Sequence, residues 1–551
     1  MTRDSPDRFN YQDAGLLNFD RDTFPHNIGS VGIFEGAIPF EKYLAHVERR
    51  LDLVPRYRQR VVRVPLDLAN PIWHDDPDFD IRRHVRSVVL SQPGDDGQLA
   101  HLAGEFFALP LDRERPLWSI LLVRGLSGGR TAQLVKAHHC LVDGVGGVQL
   151  LVALLDTTPN PPPLRRRRKP KPGPIPDRAT LFANAIFDQV LEQADTAESL
   201  TRSLRHPRSL VHWTRSVAGA VLAAAPYMLE RAPDTPWNTR LTSPRRLAWQ
   251  DVPLQEARAI CSVLGGKVND LVLALLAGAL GRYFELHGWE TKDVTLRVVV
   301  PVNARRGPED RALGNHISLM LAGLPLGLAD PRRRFEAVSR QMKALKEADQ
   351  AGGFENLLRL LGRLPAPVQA TLGGRLTSPN VLTNLVCTNV RGPETPLYCL
   401  GHEMVAHYPW VLASWRMGLS VAVMSYMRSL YFSFTGDAGV LADLDRVADF
   451  LREDFWQLHD AVTRRRRRPS TIAAEKPARA SAPRRTRVRA ASAPSRTNGR
   501  RAGRAGALPP PGSATVRSPS KNGRRPEPRV LAPAGNARRR VAAARPGKGA
   551  A

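Results

Sequence analysis

Apolar and polar positions alternate in two distinct periods along this chain. In IPFEKYLAHVERRL, the residues Phe40, Tyr43, Leu44, Val47 and Leu51 recur at the three-to-four spacing of a helix with one buried face. LWSILLVRGL and TAQLVKAHH are β-rich runs separated by SGGR, so they predict a hairpin whose second strand ends at a pair of histidines. VGGVQLLVALL then predicts a helix opening just beyond the glycines. Residues 1–158 therefore predict a mixed α/β half.

NPPPLRRRRKPKPGPIPD, residues 160–177, is too rich in proline to hold regular structure, and it marks the end of that half. Residues 179–232 have helical character, so 159–244 form a Pro/Arg linker with a helical connection. A second α/β half is expected over 245–463, with DLVLALLAGALGRYF as a helix and LRVVVPVN and NLVCTNV as strands. LSVAVMSYMRSLYFSFTGD predicts a further strand pair. A last helix carries Leu444, Val447, Leu451, Phe455 and Leu458 on one face.

At 551 residues the chain exceeds one ordinary core, in keeping with two halves. Its formal charge of +28 is unevenly spread. Residues 464–551 hold 25 Lys and Arg against two acids, Glu475 and Glu527, so the basic character belongs mainly to a tail. That tail is low in large apolar residues and is expected to be disordered. The four cysteines (Cys140, Cys261, Cys387, Cys399) have no CxxC spacing, which suits a reduced, cytoplasmic protein and argues against a zinc knuckle. No signal peptide is expected from MTRDSPDRFNYQD, and apolar stretches such as 271–280 and 217–229 fall short of the roughly 20 residues that span a bilayer. Membrane association is expected to be peripheral.

The candidate chemistry lies in KAHHCLVDGVGG, residues 136–147. A metal would need a third ligand beside His and Asp, and no HExxH occurs, so no metal site is expected. No serine elbow is expected. Cys140 directly follows His139, and neighbours on an extended segment face opposite ways, so the two form no nucleophile–base pair. The remaining reading is a general base: His139 at a strand end, with an ordinary pKa of about 6.5, able to take a proton from an alcohol. Asp143 would fix local geometry, Gly144 would permit a tight turn and close substrate approach, and His138 would face the other way. Spacing alone leaves this base and a hydrogen-bonded core histidine evenly matched.

HHCLVDG fits HHxxxDG, and its flanks resemble the bacterial wax ester synthase/diacylglycerol acyltransferase family of coenzyme-A-dependent acyltransferases. The similar segments, in family order over roughly residues 4–460, are NPIWHDDPDFDIRRHV, PLDRERPLW, VNDLVLALLAGALGRYF, VPVNARR, LGNHISLMLAGLP, TNVRGP and SYMRSLYFSFTGD. The resemblance implies an α/β fold of two chloramphenicol-acetyltransferase-like, condensation-domain-like halves around a central tunnel. His139 would act there as the base for acyl transfer from acyl-CoA to diacylglycerol or a long-chain alcohol, with Asp143 as the structural aspartate and no covalent enzyme intermediate. Asn269 and Asp270 carry over from the ND motif as supporting architecture. Pro116, Leu117 and Trp118 would shape the channel wall, with core packing an equal alternative for the tryptophan. No cofactor is implied beyond acyl-CoA as co-substrate.

The linker and the tail depart from the family's compact form, and Arg391 stands in TNVRGP where a small or apolar residue is usual; both leave the acceptor open. The basic segments could draw the protein to anionic lipid on the inner membrane face or to lipid droplets. They could also bind nucleic acid non-specifically, although the tail has no aromatic residue for base stacking. Two other readings stand beside the lipid acyltransferase. One is a condensation-type enzyme using carrier-bound acyl groups, weakened by the lack of a GGxS-like attachment site. The other is a non-catalytic lipid-droplet or nucleic-acid binder acting through the tail.

Overall fold

The computed structural model of the chain describes residues 8–20, 25–141, 153–164, 173–187, 231–239, 241–242, 244–303, 317–348, 350, 383–411 and 417–467. In chain order the strands are β1 (Asn27–Phe34), β2 (Gln59–Val62), β3 (Ile72–Asp75), β4 (Val85–Val89), β5 (Trp118–Arg124) and β6 (Thr131–His138). They continue with β7 (Arg245–Pro253), β8 (Thr295–Asn303), β9 (Ile317–Pro325) and β10 (Leu385–Arg391). The last four are β11 (Tyr398–Cys399), β12 (His402–Val411), β13 (Leu419–Tyr426) and β14 (Ser429–Asp437).

These strands form two six-stranded sheets, ordered β11-β12-β1-β6-β5-β4 and β7-β14-β13-β10-β8-β9, with β2 and β3 as a separate ribbon. The hairpins expected from sequence are present: β5 pairs antiparallel with β6, and β13 with β14. Each sheet also has parallel neighbours, β4 with β5 in one and β10 with β8 and β13 in the other. The architecture is mixed α/β.

The halves inferred as 1–158 and 245–463 are not self-contained. Residues 398–411 leave the second half and add β11 and β12 to the first sheet, where β12 pairs antiparallel with β1. Side chains of the second sheet hold β12 from behind: Tyr426 Oη donates to the Met404 carbonyl at 2.9 Å and Tyr431 Oη to the Val405 carbonyl at 3.1 Å. Residues 1–473 accordingly form one compact unit containing both sheets. The rest of the tail and most of 179–232 lie outside the described residues, as does the helix predicted over VGGVQLLVALL (145–155) except at its end, where Ala153 and Leu154 are helical.

The Val268–Leu286 helix is apolar around nearly its whole circumference, and Leu271–Gly281 is buried without a break. That pattern belongs to a helix covered on all sides. Arg334, on the Pro331–Glu347 helix, crosses it and donates through Nε to the Ala274 carbonyl at 2.9 Å. Its Nη2 reaches both Asp454 oxygens at 2.6 and 2.5 Å. Gly278 permits this crossing, since a Cβ there would sit 2.3 Å from Arg334 Nη2. The last helix runs Asp445–Arg467, so four arginines of the run assigned to the tail extend it, in keeping with arginine's good helix propensity.

Candidate active site

β6 lies in the middle of the first sheet, hydrogen-bonded to β1 on one side and β5 on the other. Its eight residues are all buried, and the chain turns immediately after His138. Three main-chain bonds fix the turn: His138 N–H to the Leu117 carbonyl at 2.9 Å, His139 N–H to the His26 carbonyl at 2.7 Å, and Leu141 N–H to the His138 carbonyl at 2.9 Å. The approaches to β1 and β5 therefore hold the backbone of both histidines.

The two rings have different surroundings. His138 is 2% exposed, whereas His139 is only partly covered. His138 Nδ1 accepts the Cys140 N–H at 3.1 Å, so the proton of the neutral ring resides on Nε2. Nε2 faces Asp20 Oδ2 at 3.4 Å. Asp20 also accepts the His26 N–H at 2.5 Å and an Arg113 Nη2 donor at 2.8 Å. Burial works to raise the Asp20 pKa, but the hydrogen bonds from His138 and His26 outweigh it and hold the carboxyl well below the usual carboxylate range. For His138 burial dominates and pushes the ring toward its neutral form, with Asp20 opposing.

This cluster, in which the buried His138 meets the partly covered Asp20 and His26 and the exposed Arg113 closes the outer side, is a feature that sequence reading missed. Asp20 lies far from His138 in the chain, and nothing in NFDRD marks it as a partner. Cys140 is a buried free thiol whose pKa burial pushes far up, so it packs and is not poised as a nucleophile. GLSGG, residues 125–129, does fit the GxSxG spacing. It forms the connection between β5 and β6, with no helix following, so it is not the strand–turn–helix elbow of a serine hydrolase.

Asp143 and Gly144 lie outside the described residues. Asn269 and Asp270 open the Val268–Leu286 helix. Asp270 Oδ2 accepts the Lys267 N–H at 3.0 Å and the Ser339 hydroxyl at 3.2 Å, which caps the helix and ties it to its neighbour. Asn269 Oδ1 accepts from Asn389 Nδ2 on β10 at 3.4 Å.

Pro116, Leu117 and Trp118, expected along a channel wall, are all buried. Leu117 packs with Phe9, Leu17, Trp73 and Cys140. Trp118 is 3% exposed, stacks on His84 with centroids 4.6 Å apart and donates Nε1–H to the Tyr57 carbonyl at 2.7 Å. Its ring is a core element, because an indole whose N–H is bonded and whose face is stacked is satisfied there. Among the described residues, no group of three or more His, Cys, Asp or Glu could hold a metal ion. No single helix among them is long and apolar enough to cross a membrane.

Residues 9–272 match the wax ester synthase/diacylglycerol acyltransferase catalytic domain, and residues 313–459 match the C-terminal domain of the same family. A probable diacylglycerol O-acyltransferase, tgs1 of Mycobacterium tuberculosis, is 31% identical over 468 residues, covering 83% of this chain and 96% of the relative. Among solved structures, the wax ester synthase/diacylglycerol acyltransferase of Marinobacter aquaeolei shares the fold with a TM-score of 0.58 at 24% identity, covering 83% of this chain and all of that one. The first condensation domain of the calcium-dependent antibiotic synthetase shares it with a TM-score of 0.52 at 15% identity, over 81% and 94% of the two chains.

Proposed function

The chain belongs to the wax ester synthase/diacylglycerol acyltransferase family, and from that premise we propose how its residues carry out acyl-CoA-dependent O-acyl transfer. His139 takes the proton from the acceptor hydroxyl. The oxygen attacks the thioester carbonyl, a C–O bond forms as the C–S bond breaks, and the imidazolium returns its proton to the departing thiolate of coenzyme A. The acceptor is diacylglycerol or a long-chain alcohol, giving triacylglycerol or wax ester. No residue of the chain is acylated in this scheme.

The observation that carries this reading is the contrast between the adjacent histidines. His138 is buried and committed to Cys140 and Asp20, while His139 is partly uncovered on a turn held by main-chain bonds. The pinned backbone supplies the rigidity that general-base catalysis needs, and bringing two substrates together contributes the remainder of the acceleration. In this proposal Asp143 stabilises the turn and Asn269 and Asp270 support the adjoining architecture. Substrates reach His139 through a tunnel between the halves. Localisation at the cytoplasmic face of the membrane or at lipid droplets fits lipid substrates and a basic chain.

The test uses the purified full chain with acyl-CoA and either acceptor, following coenzyme A release and product mass. His139→Ala is expected to lower turnover at least about 10²-fold with folding intact, in line with the usual contribution of a general base. Unchanged turnover in that variant excludes His139 as the base.

A further inference from the structure

Residues 178–187, RATLFANAIF, form a helix whose start is capped by Asp177, with Oδ1 accepting the Thr180 N–H at 2.7 Å. Leu181 and Ala185 are buried and seat it. At about 100° per residue, Phe182, Ile186, Ala179, Ala183 and Phe187 follow one another around the outward side, and no polar residue interrupts them. Phe182 and Ile186 are each 42% exposed and Phe187 is 64% exposed. Elsewhere among the described residues, exposed large apolar side chains are scattered singly along the chain, as at Leu53, Val89, Val263 and Trp456. A concentrated apolar arc facing outward marks an interaction surface.

The chemistry of the neighbouring sequence selects the partner. On the N-terminal side of the arc, from Leu164 to Arg178, there are seven cations (Arg165, Arg166, Arg167, Arg168, Lys169, Lys171 and Arg178) against one acid, Asp177, which is occupied as the cap, and the acids of the following sequence begin at Asp188. An apolar helical arc beside a dense positive run is the composition of an element that lies in the surface of an anionic bilayer. We propose that the outward arc of residues 178–187 docks this enzyme on anionic membrane lipid, with Phe182, Ile186 and Phe187 entering the acyl region. This rests on the reading of the acceptor as a lipid, and it names the element that brings the enzyme to the phase in which that acceptor dissolves.

The experiment is co-sedimentation of the full chain with vesicles of phosphatidylglycerol and phosphatidylcholine, compared with phosphatidylcholine alone. Phe182→Ser combined with Phe187→Ser replaces two side chains that are already exposed. It is expected to lower partitioning onto the anionic vesicles about tenfold or more. Coenzyme A release with detergent-dispersed diacylglycerol should be unchanged. A separate Phe187→Trp variant should show blue-shifted emission on vesicle addition and quenching by brominated acyl chains. Undiminished partitioning of the double variant overturns the proposal, as does tryptophan emission that ignores the vesicles. So does a fall in solution mass on making the double variant, because the arc would then be covered by a second copy. Failure of the wild-type chain to release coenzyme A with any dispersed acceptor counts against the acyl-transfer reading, and it leaves the vesicle measurements to decide the docking surface.

Discussion

Replacing Asp20 with asparagine tests whether the Asp20 cluster beside the turn positions His139. The asparagine Oδ1 can still accept the His26 N–H, which Asp20 accepts at 2.5 Å. Its amide nitrogen then stands where Oδ2 met Arg113 at 2.8 Å and faced His138 Nε2 at 3.4 Å, so donors oppose donors. His138 cannot escape by moving its proton, because Nδ1 is needed as the acceptor for Cys140 N–H. Setting an amide donor 3.4 Å from the buried His138 Nε2, in place of a carboxylate oxygen, turns an attraction into a repulsion and costs about 1–3 kcal/mol. The Arg113 pair adds at most about 1 kcal/mol, since Arg113 is substantially exposed and screened. A loss of about 2–3 kcal/mol is therefore expected in urea unfolding, as a lower midpoint at unchanged slope. Because the His26 carbonyl holds His139 N–H, a shift of about 1 Å there should also lower kcat roughly ten- to a hundredfold in a coenzyme A release assay. The pH dependence follows from the sign of the Asp20 shift. Its folded value lies below the unfolded one, so its stabilisation is complete above about pH 4 and is lost as pH falls through the folded value. The stability gap between wild type and Asp20→Asn should narrow progressively below about pH 4. Wild-type stability and wild-type kcat in the variant would refute the positioning role.

Three further substitutions separate structural from chemical roles. Trp118→Ala should destabilise by about 3–5 kcal/mol, whereas Trp118→Phe keeps most of the packing and should retain kcat; a specific loss of activity in the phenylalanine variant would restore the channel-wall reading. Asp270→Ala removes the cap over Lys267 N–H and the bond from Ser339, at about 1–2 kcal/mol, and chemical unfolding alongside steady-state kinetics should show that loss with KM for acyl-CoA unchanged. Arg334→Met leaves the Asp454 carboxylate buried beside Gly278 without its cation, and should cost about 3–5 kcal/mol by urea titration; a neutral result would mean that the ion pair is dispensable.

What could be read from sequence depended on whether the signal was local. The Val268–Leu286 helix announced itself through an unbroken apolar run, and the β5–β6 hairpin through two β-rich stretches around SGGR. The placement of a histidine pair at a strand end followed from that hairpin, because the strand's apolar run stops at His138. β1 was harder to read. NIGSVGIF carries Asn27, Ser30 and two glycines, which blur the alternation that marks a strand, and its burial is decided by neighbours on both sides. β12, HEMVAHYPWV, reads as part of the second half by position, and only long-range pairing reveals that it belongs to the first sheet. Asp20 fails on the same ground: its role exists only once His26, Arg113 and His138 have been brought around it. Trp118 shows the opposite case, since an aromatic beside a functional motif looks like substrate-contacting chemistry until its indole is found stacked and hydrogen-bonded in the core.

The strand exchange also bears on the proposed role of His139. β1 is the strand at which the two halves of the chain meet: Ile28 pairs with Ala137 of β6 on one side and with Val411 of β12 on the other, and Ser30 pairs with Val135 and Pro409. His26, one residue before β1, holds the His139 N–H. The turn that carries His139 therefore depends on a strand, β1, whose second neighbour is supplied by the distant residues 402–411. Without β12, β1 would be an edge with an unpaired row of main-chain groups, less able to hold its register against β6. The two halves consequently act as one structural unit at the His139 turn, and severing 398–411 from the first sheet should loosen His139 even though no side chain near it has changed.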